Sequence, residues 1–213
     1  MKRVLLDDLD EIVKKNKINS SIFSSIKELG VPVSTEIIVI FDLVGSSRIK
    51  IELGHDKGIE AILFHNLICR SIIKKFDGIV VKEIGDGILA RFKDPLKACL
   101  CALNFKESLK RNTLSTKIVL CLGLVEDIKI KGWADIMGAT VDKCAKIEKF
   151  ALPNQILIDR ALHDAASSLL RDYDQLVIGK PLPIELKEYG KLDFYEIALT
   201  KDGLYDDCNR GPK

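Results

Sequence analysis

Glu36-Ile37-Ile38-Val39-Ile40-Phe41-Asp42-Leu43-Val44-Gly45-Ser46-Ser47 is the stretch on which the architecture turns. The apolar run from Ile37 to Phe41 is mostly β-branched and has no polar interruption. That predicts a strand covered on both faces rather than a half-exposed one. The run stops at Asp42 and gives way to a Gly-Ser-Ser turn. A carboxylate there is held by a rigid strand, and the amides that follow can point outward as an anion nest.

Outward from this strand, residues 58–76 predict a long amphipathic helix ending at Asp77-Gly78. Ile79 to Lys82 and Ile88 to Phe92 predict two short strands around Gly85-Asp86-Gly87, a hairpin signal. Pro95 starts a helix that runs to about Arg111. Lys117 to Leu124 predicts another buried strand, with Glu126 to Lys129 pairing beside it. Further on come a helix over Gly138 to Phe150, a strand over Asn154 to Ile158 and a helix over 159–171. Ile184–Lys187 and Phe194–Ile197 alternate, which predicts a closing antiparallel pair. The order β-α-β-β-α-β from 36 to 124 is the ferredoxin-like split unit. The expected fold is therefore α/β (α+β): a ferredoxin-like βαββαβ palm core with a C-terminal α/β extension and short N-terminal helices.

Residues 34–199 are expected to form this domain. Ahead of it, Val4, Leu5, Leu9, Ile12 and Val13 are spaced for a helix, and Ser20 to Leu29 for a second short one. Residues 1–33 read as a packing or dimerisation appendage, and residues 200–213 as a flexible tail. The 213 residues carry Lys+Arg 33 against Asp+Glu 31, a net charge of +2. Neither a nucleic-acid field nor an acidic tail is present in that balance. No apolar run approaches the roughly 18 residues of a membrane span. The opening MKRVLLDDLDEIVKK turns acidic too early for a secretory signal. Cysteines at 69, 99, 101, 121, 144 and 208 form no C-x-x-C pair and mostly lie in apolar stretches. They read as reduced thiols of a cytoplasmic protein. His55, His65 and His163 lack zinc-ligand spacing.

In the split fold the first strand and the hairpin lie side by side, so Asp42 and Asp86 are expected to converge. Taken singly, Asp42 could cap a helix and Asp86 could favour a turn. Taken together, two carboxylates beside a phosphate nest suit hard cations that share their oxygens with substrate phosphates.

Four segments, in order, resemble the class III nucleotidyl cyclases. Phe41-Asp42-Leu43-Val44-Gly45-Ser46-Ser47 is similar to their F-x-D-I-x-G-[FS]-[ST] opening. Lys82-Glu83-Ile84-Gly85-Asp86-Gly87 is similar to K-x-x-G-D. Asp135-Ile136-Met137-Gly138 through Lys146 resembles D-I-W-G-x-x-V-N-x-A-[AS]-R, and Ile184–Lys187 through Tyr195-Glu196-Ile197 the closing L-K-G…V-Y-E-V hairpin. The resemblance covers about residues 36–198. It implies that Asp42 and Asp86, with the Leu43 carbonyl, bind two Mg²⁺ or Mn²⁺ ions. It also implies that Phe41 belongs to the nucleotide-binding set and that the amides from Val44 through Gly45 and Ser46 to Ser47 hold the β- and γ-phosphates. The ribose 3′-oxygen would attack the α-phosphate in line, and pyrophosphate would leave. Such sites are shared between two chains, which implies a homodimer. Lys82 and Asp135 occupy the base-reading positions.

Three departures stand out. Asp142 replaces the ribose-orienting Asn, Lys146 replaces the transition-state Arg, and Lys117 stands where the family has a further Arg. Lysine keeps the charge and loses the planar fork. A carboxylate at 142 cannot donate a hydrogen bond. The Lys82 donor and Asp135 acceptor match adenine and cytosine alike and argue against guanine. Small cyclases with such departures are similar to the pyrimidine cyclases of the Pycsar antiphage systems. That implies cyclic CMP or cyclic UMP as product and a cyclic-nucleotide-activated effector as downstream partner. An adenylate cyclase making cyclic AMP is the alternative, and a catalytically weak, nucleotide-binding regulatory protein is a third reading. No nucleic-acid or membrane partner is expected.

Overall fold

The computed structural model describes residues 32–110, 112, 114–130 and 133–202. The N-terminal helices expected before residue 32 and the tail beyond 202 lie outside them. β1 (Val33–Leu43) extends the predicted run in both directions. Ile37, Ile38, Val39, Phe41 and Leu43 are at most 1% exposed, because both faces of the strand are covered. Ile37, Val39 and Phe41 join Cys69, Ile73, Phe105 and Leu109 in one core. Those partners come from two long helices behind the sheet. Ile38 points the other way, into a second core with Cys144 and Ile147. The period of two thus divides one apolar run between two layers.

After β1 the chain forms a short helix, α1 (Ser46–Leu53), where only a turn was expected. Ser46 is its one buried residue, while Ile51 and Leu53 face outward. No apolar period could have announced it. α2 (His55–Lys75) follows, then β2 (Ile79–Ile84) and β3 (Gly87–Phe92) around the Gly85-Asp86 turn. Gly85 has φ 63°, the left-handed conformation a tight turn asks of glycine. α3 (Pro95–Lys110) opens with Asp94 as its cap, since the Lys97 amide donates to Asp94 Oδ1 at 3.0 Å.

β4 (Thr116–Ile130) corrects the sequence reading. The pieces expected at 117–124 and 126–129 are one continuous strand rather than a pair, because β1 pairs with it as far as Glu126 and another strand takes over from there. Its actual neighbour over that second half is β5 (Trp133–Met137), in register from Glu126↔Met137 to Ile130↔Trp133. α4 (Ala139–Glu148), β6 (Ile156–Asp159), α5 (Arg160–Arg171), β7 (Leu176–Ile178), β8 (Leu182–Leu186) and β9 (Gly190–Leu199) complete the chain. The half-buried three-residue β7 was not foreseen. The sheet runs β2-β3-β1-β4-β6-β9-β7, with β5 on β4 and β8 on β9. Its first four strands are the antiparallel order of the split unit. β6 joins β4 in parallel after the α4 crossover.

Thr200–Asp202 form a 3₁₀ turn held to α3 by pairs from Lys106 and Lys110 to Asp202. The five described cysteines are free and buried. Among the described residues no helix is long and apolar enough to cross a membrane.

α4 lies so close to β4 that a Cβ at Gly123 would come within 2.5 Å of Thr140 Oγ1. That hydroxyl donates to the Leu124 carbonyl at 2.8 Å. Gly123→Ala is expected to cost about 1–3 kcal/mol by overpacking. A lowered urea midpoint with unchanged m would show it; an unchanged midpoint would mean that α4 moves freely.

Candidate active site

Asp42 is the penultimate residue of β1. In register it faces Gly87 of β3 on one side and Lys117 of β4 on the other. A Cβ at Gly87 would sit 3.5 Å from the Phe41 carbonyl and 3.7 Å from Asp42 Oδ1. The hairpin therefore comes up against the end of β1 and carries Asp86 beside Asp42. Thr116 Oγ1 donates to the Asp42 carbonyl at 2.9 Å, and the Val44 amide donates to the Ser115 carbonyl at 2.9 Å. Asn154 braces this exit: it accepts from the Thr116 amide at 3.2 Å, and its own amide donates to the Thr116 carbonyl at 2.7 Å.

The Asp42 carboxyl is pushed up to about 7, first by burial, then by Glu148 and Asp86, against the opposing pull of Lys117. Glu148 lies close enough to act on Asp42 and is 3.2 Å from Lys117 Nζ through Oε1. Sequence reasoning missed Glu148. The available signal was its position four residues after Cys144, on the side of α4 that faces the sheet. His65 was likewise passed over. It is buried edge-on to Phe105, with ring centroids 5.1 Å apart. Its Nδ1 contacts Asn66 Oδ1 at 2.9 Å, and its Nε2 has no hydrogen-bond partner among the described residues. Burial holds its pKa below the usual histidine value, partly offset by Asn66 and Asp86.

Beyond Asp42, Gly45 (φ 74°) precedes α1 without a side-chain cap. The Ile49 amide is the first to bond back, to the Gly45 carbonyl at 2.9 Å. The amides of Ser46, Ser47 and Arg48 thus head the helix, an arrangement that favours anions. Two residues expected in the nucleotide-binding set do not fit this picture. The Val44 amide is spent on Ser115. Phe41 is fully buried, packed edge-on to Phe105 with centroids 5.2 Å apart, because strand alternation turns it into the core. The Leu43 side chain is also buried, so only its backbone could serve a ligand.

Lys82 and Asp135 meet as an ion pair, Nζ to Oδ2 2.6 Å, linking β2 to β5. The Ile136 amide donates to Asp135 Oδ1 at 2.8 Å. Burial raises the Asp135 pKa, but Lys82 and this amide outweigh it and hold the carboxyl below its usual value. Lys146 is drawn instead to the turn between β8 and β9, 2.8 Å from Glu188 and over the Tyr189 ring. Asp142 stands exposed in the first turn of α4. The predicted residues thus fall into separate groups. Asp86, Lys117 and Glu148 gather around Asp42, Lys82 pairs with Asp135, and Lys146 sits against the closing hairpin.

Among the described residues no group of three or more His, Cys, Asp and Glu is arranged to enclose a metal ion. Asp42 and Asp86 nevertheless fit a hard divalent cation. Both offer carboxylate oxygen, and the nearby Asp86 charge adds to the cost of charging Asp42, a cost that a cation removes. Two such ligands suit Mg²⁺ or Mn²⁺, which complete their shells with water and phosphate oxygens.

No protein-family model matches the chain, and a search of curated proteins returned no match. Solved structures do match. The guanylyl cyclase Cya2 superposes with a TM-score of 0.70 at 19% identity, over 87% of this chain and 100% of that one. The adenylyl cyclase CyaB from P. aeruginosa gives 0.72 at 15%, over 83% and 100%. The guanylate cyclase domain of RhGC from Catenaria anguillulae, solved in complex with GTP, gives 0.67 at 19%, over 79% and 98%. The fold is that of the class III nucleotidyl cyclase catalytic domain.

Proposed function

We propose that this chain is a nucleotidyl cyclase, converting a nucleoside triphosphate to a 3′,5′-cyclic nucleotide and pyrophosphate. The observation that carries the reading is the meeting of Asp42 and Asp86 at one end of a cyclase-fold sheet. These two carboxylates, with the Leu43 carbonyl, would hold two Mg²⁺ or Mn²⁺ ions. Bound there, the ions would make the ribose 3′-hydroxyl a better nucleophile and neutralise phosphate charge. The amides of Ser46 and Ser47 would receive the terminal phosphates. Lys117 adds a fixed positive charge beside Asp42. Lys82 would donate to the base and Asp135 would accept from it, a pattern that suits adenine or cytosine. Lys146 would exchange its exposed contact with Glu188 for the substrate phosphates. Such an exposed pair is screened by water and gives way readily. In the reaction the O3′–Pα bond forms as the bond from Pα to the pyrophosphate oxygen breaks.

Incubating the purified protein with ATP, CTP, GTP or UTP and Mn²⁺ tests the proposal by product identity. Cyclic CMP or cyclic UMP would support a pyrimidine cyclase signalling to an antiphage effector. Cyclic AMP alone would favour the adenylate cyclase. Asp142 and the diverted Lys146 favour one further reading, a nucleotide-binding regulatory protein. It would be supported by no cyclic product from any nucleotide while ATP or CTP still raised the Tm. We further propose a homodimer with sites shared between two chains. Asp42→Ala mixed with Asp135→Ala should then regain activity that neither variant has alone. Failure at every mixing ratio would count against sharing.

A further inference from the structure

Glu148 closes α4 and touches two parts of the site at once. Its charge raises the Asp42 pKa from close by, and its Oε1 lies 3.2 Å from Lys117 Nζ. Asp42 and Lys117 are direct cross-strand partners on β1 and β4. Glu148 therefore sits over the pair from the helix layer. The Lys117–Glu148 contact is sheltered, with the side chains 24% and 18% exposed, so water screens it less than a surface pair.

The helix that delivers Glu148 is itself firmly seated. Cys144 Sγ donates toward the Val119 carbonyl at 3.3 Å and the Ile38 carbonyl at 3.6 Å. Thr140 bonds the Leu124 carbonyl, and Lys143 pairs with buried Asp159. Glu148 thus has a fixed origin, and the groups it holds are fixed relative to the turn of α4 that carries Asp142 and Lys146.

Resting on the cyclase reading, we infer that Glu148 is a positioning residue for the metal and phosphate side of the site. When a divalent ion takes Asp42, Glu148 keeps its grip on Lys117 and directs that ammonium toward the triphosphate. Carboxylates that ligate metals depend on such neighbours for orientation. A lysine with several rotatable bonds gains more from a fixed partner than a planar arginine does.

Glu148→Gln keeps the size of the side chain and removes the charge that holds Lys117. The Mn²⁺ dependence of the Tm should shift to about tenfold higher concentration, within the range for removal of a group that supports a metal ligand. KM for the triphosphate should rise about as much as in Lys117→Gln. In the Glu148→Gln/Lys117→Gln double variant it should rise no further, because both changes remove one linked interaction. Glu148→Asp should restore part of the metal response. At pH 5, where the charge of Glu148 does not strain Asp42, the Tm of each variant in EDTA should stay close to wild type. Wild-type Mn²⁺ dependence in Glu148→Gln overturns the inference, as do additive KM effects or a loss of Tm in EDTA that accounts for the whole change. If the wild type makes no cyclic nucleotide yet Mn²⁺ raises its Tm and Glu148→Gln weakens that response, the cyclase reading fails and the positioning role stands.

Discussion

Replacing Asp42 with Asn should stabilise the metal-free protein at pH 8 while reducing cyclic-nucleotide formation by about 10³-fold or more. The two effects have one origin. The Asp42 carboxyl is raised from 3.8 to about 7 by burial and by Glu148 and Asp86. Its protonated form therefore suits the folded chain, and its charged form strains it. Below about pH 4 the group is protonated in both states and imposes no penalty. As pH climbs through the folded value near 7, the unfolded chain ionises freely and the folded chain pays, on the order of 2–4 kcal/mol. In EDTA the wild-type Tm should fall between pH 5 and 8, and the Asn variant should fall less. Mn²⁺ should reverse the wild-type loss, most strongly at pH 8 where no proton competes for the carboxylate. It should leave Asp42→Asn almost unmoved. Parallel wild-type and variant pH curves would show that Asp42 is not under this strain, and a full Mn²⁺ response in the variant would remove it from the metal site.

Asp159→Ala should destabilise the fold by about 3–5 kcal/mol. Asp159 is 3% exposed. Its Oδ1 accepts from the Leu162 amide at 3.0 Å, capping α5, and from the Leu122 amide at 3.1 Å on β4. Its other oxygen pairs with Lys143 of α4. Alanine removes the cap, worth about 1 kcal/mol, and leaves Lys143 half-buried with a charge and no counter-charge. Urea denaturation measures the loss. Lys143→Met combined with Asp159→Asn should recover much of it, because an apolar stem and a neutral cap no longer need each other's charge. A loss under 1 kcal/mol in Asp159→Ala would show that water reaches Lys143. Activity should fall with Asp159→Ala beyond what stability explains, since α4 also carries Lys146 and Glu148.

Chain order alone made the central strand, the hairpin and the two carboxylates that meet beside them readable. Ile37 to Phe41 must be covered on both faces, and Gly85-Asp86-Gly87 must turn, whatever surrounds them. These are properties of consecutive residues, so they survive without a structure. The same motif spacing pointed to the cyclase fold that the solved structures share at only 15–19% identity.

Other features were settled only when layers were stacked. Whether 117–129 would be one strand or two depended on β5 arriving alongside Glu126 to Ile130. Phe41 lies next to Asp42 in sequence, yet alternation sends one ring into the core and one carboxylate into the site. Glu148 drew no attention among the charges of α4, because its partners Asp42 and Lys117 belong to strands far from it along the chain. Local periodicity decides which residues form a helix or a strand and which face they offer. Which charge on one face meets which on another is decided by how α4 is laid across β1 and β4, and that contact exists only in three dimensions.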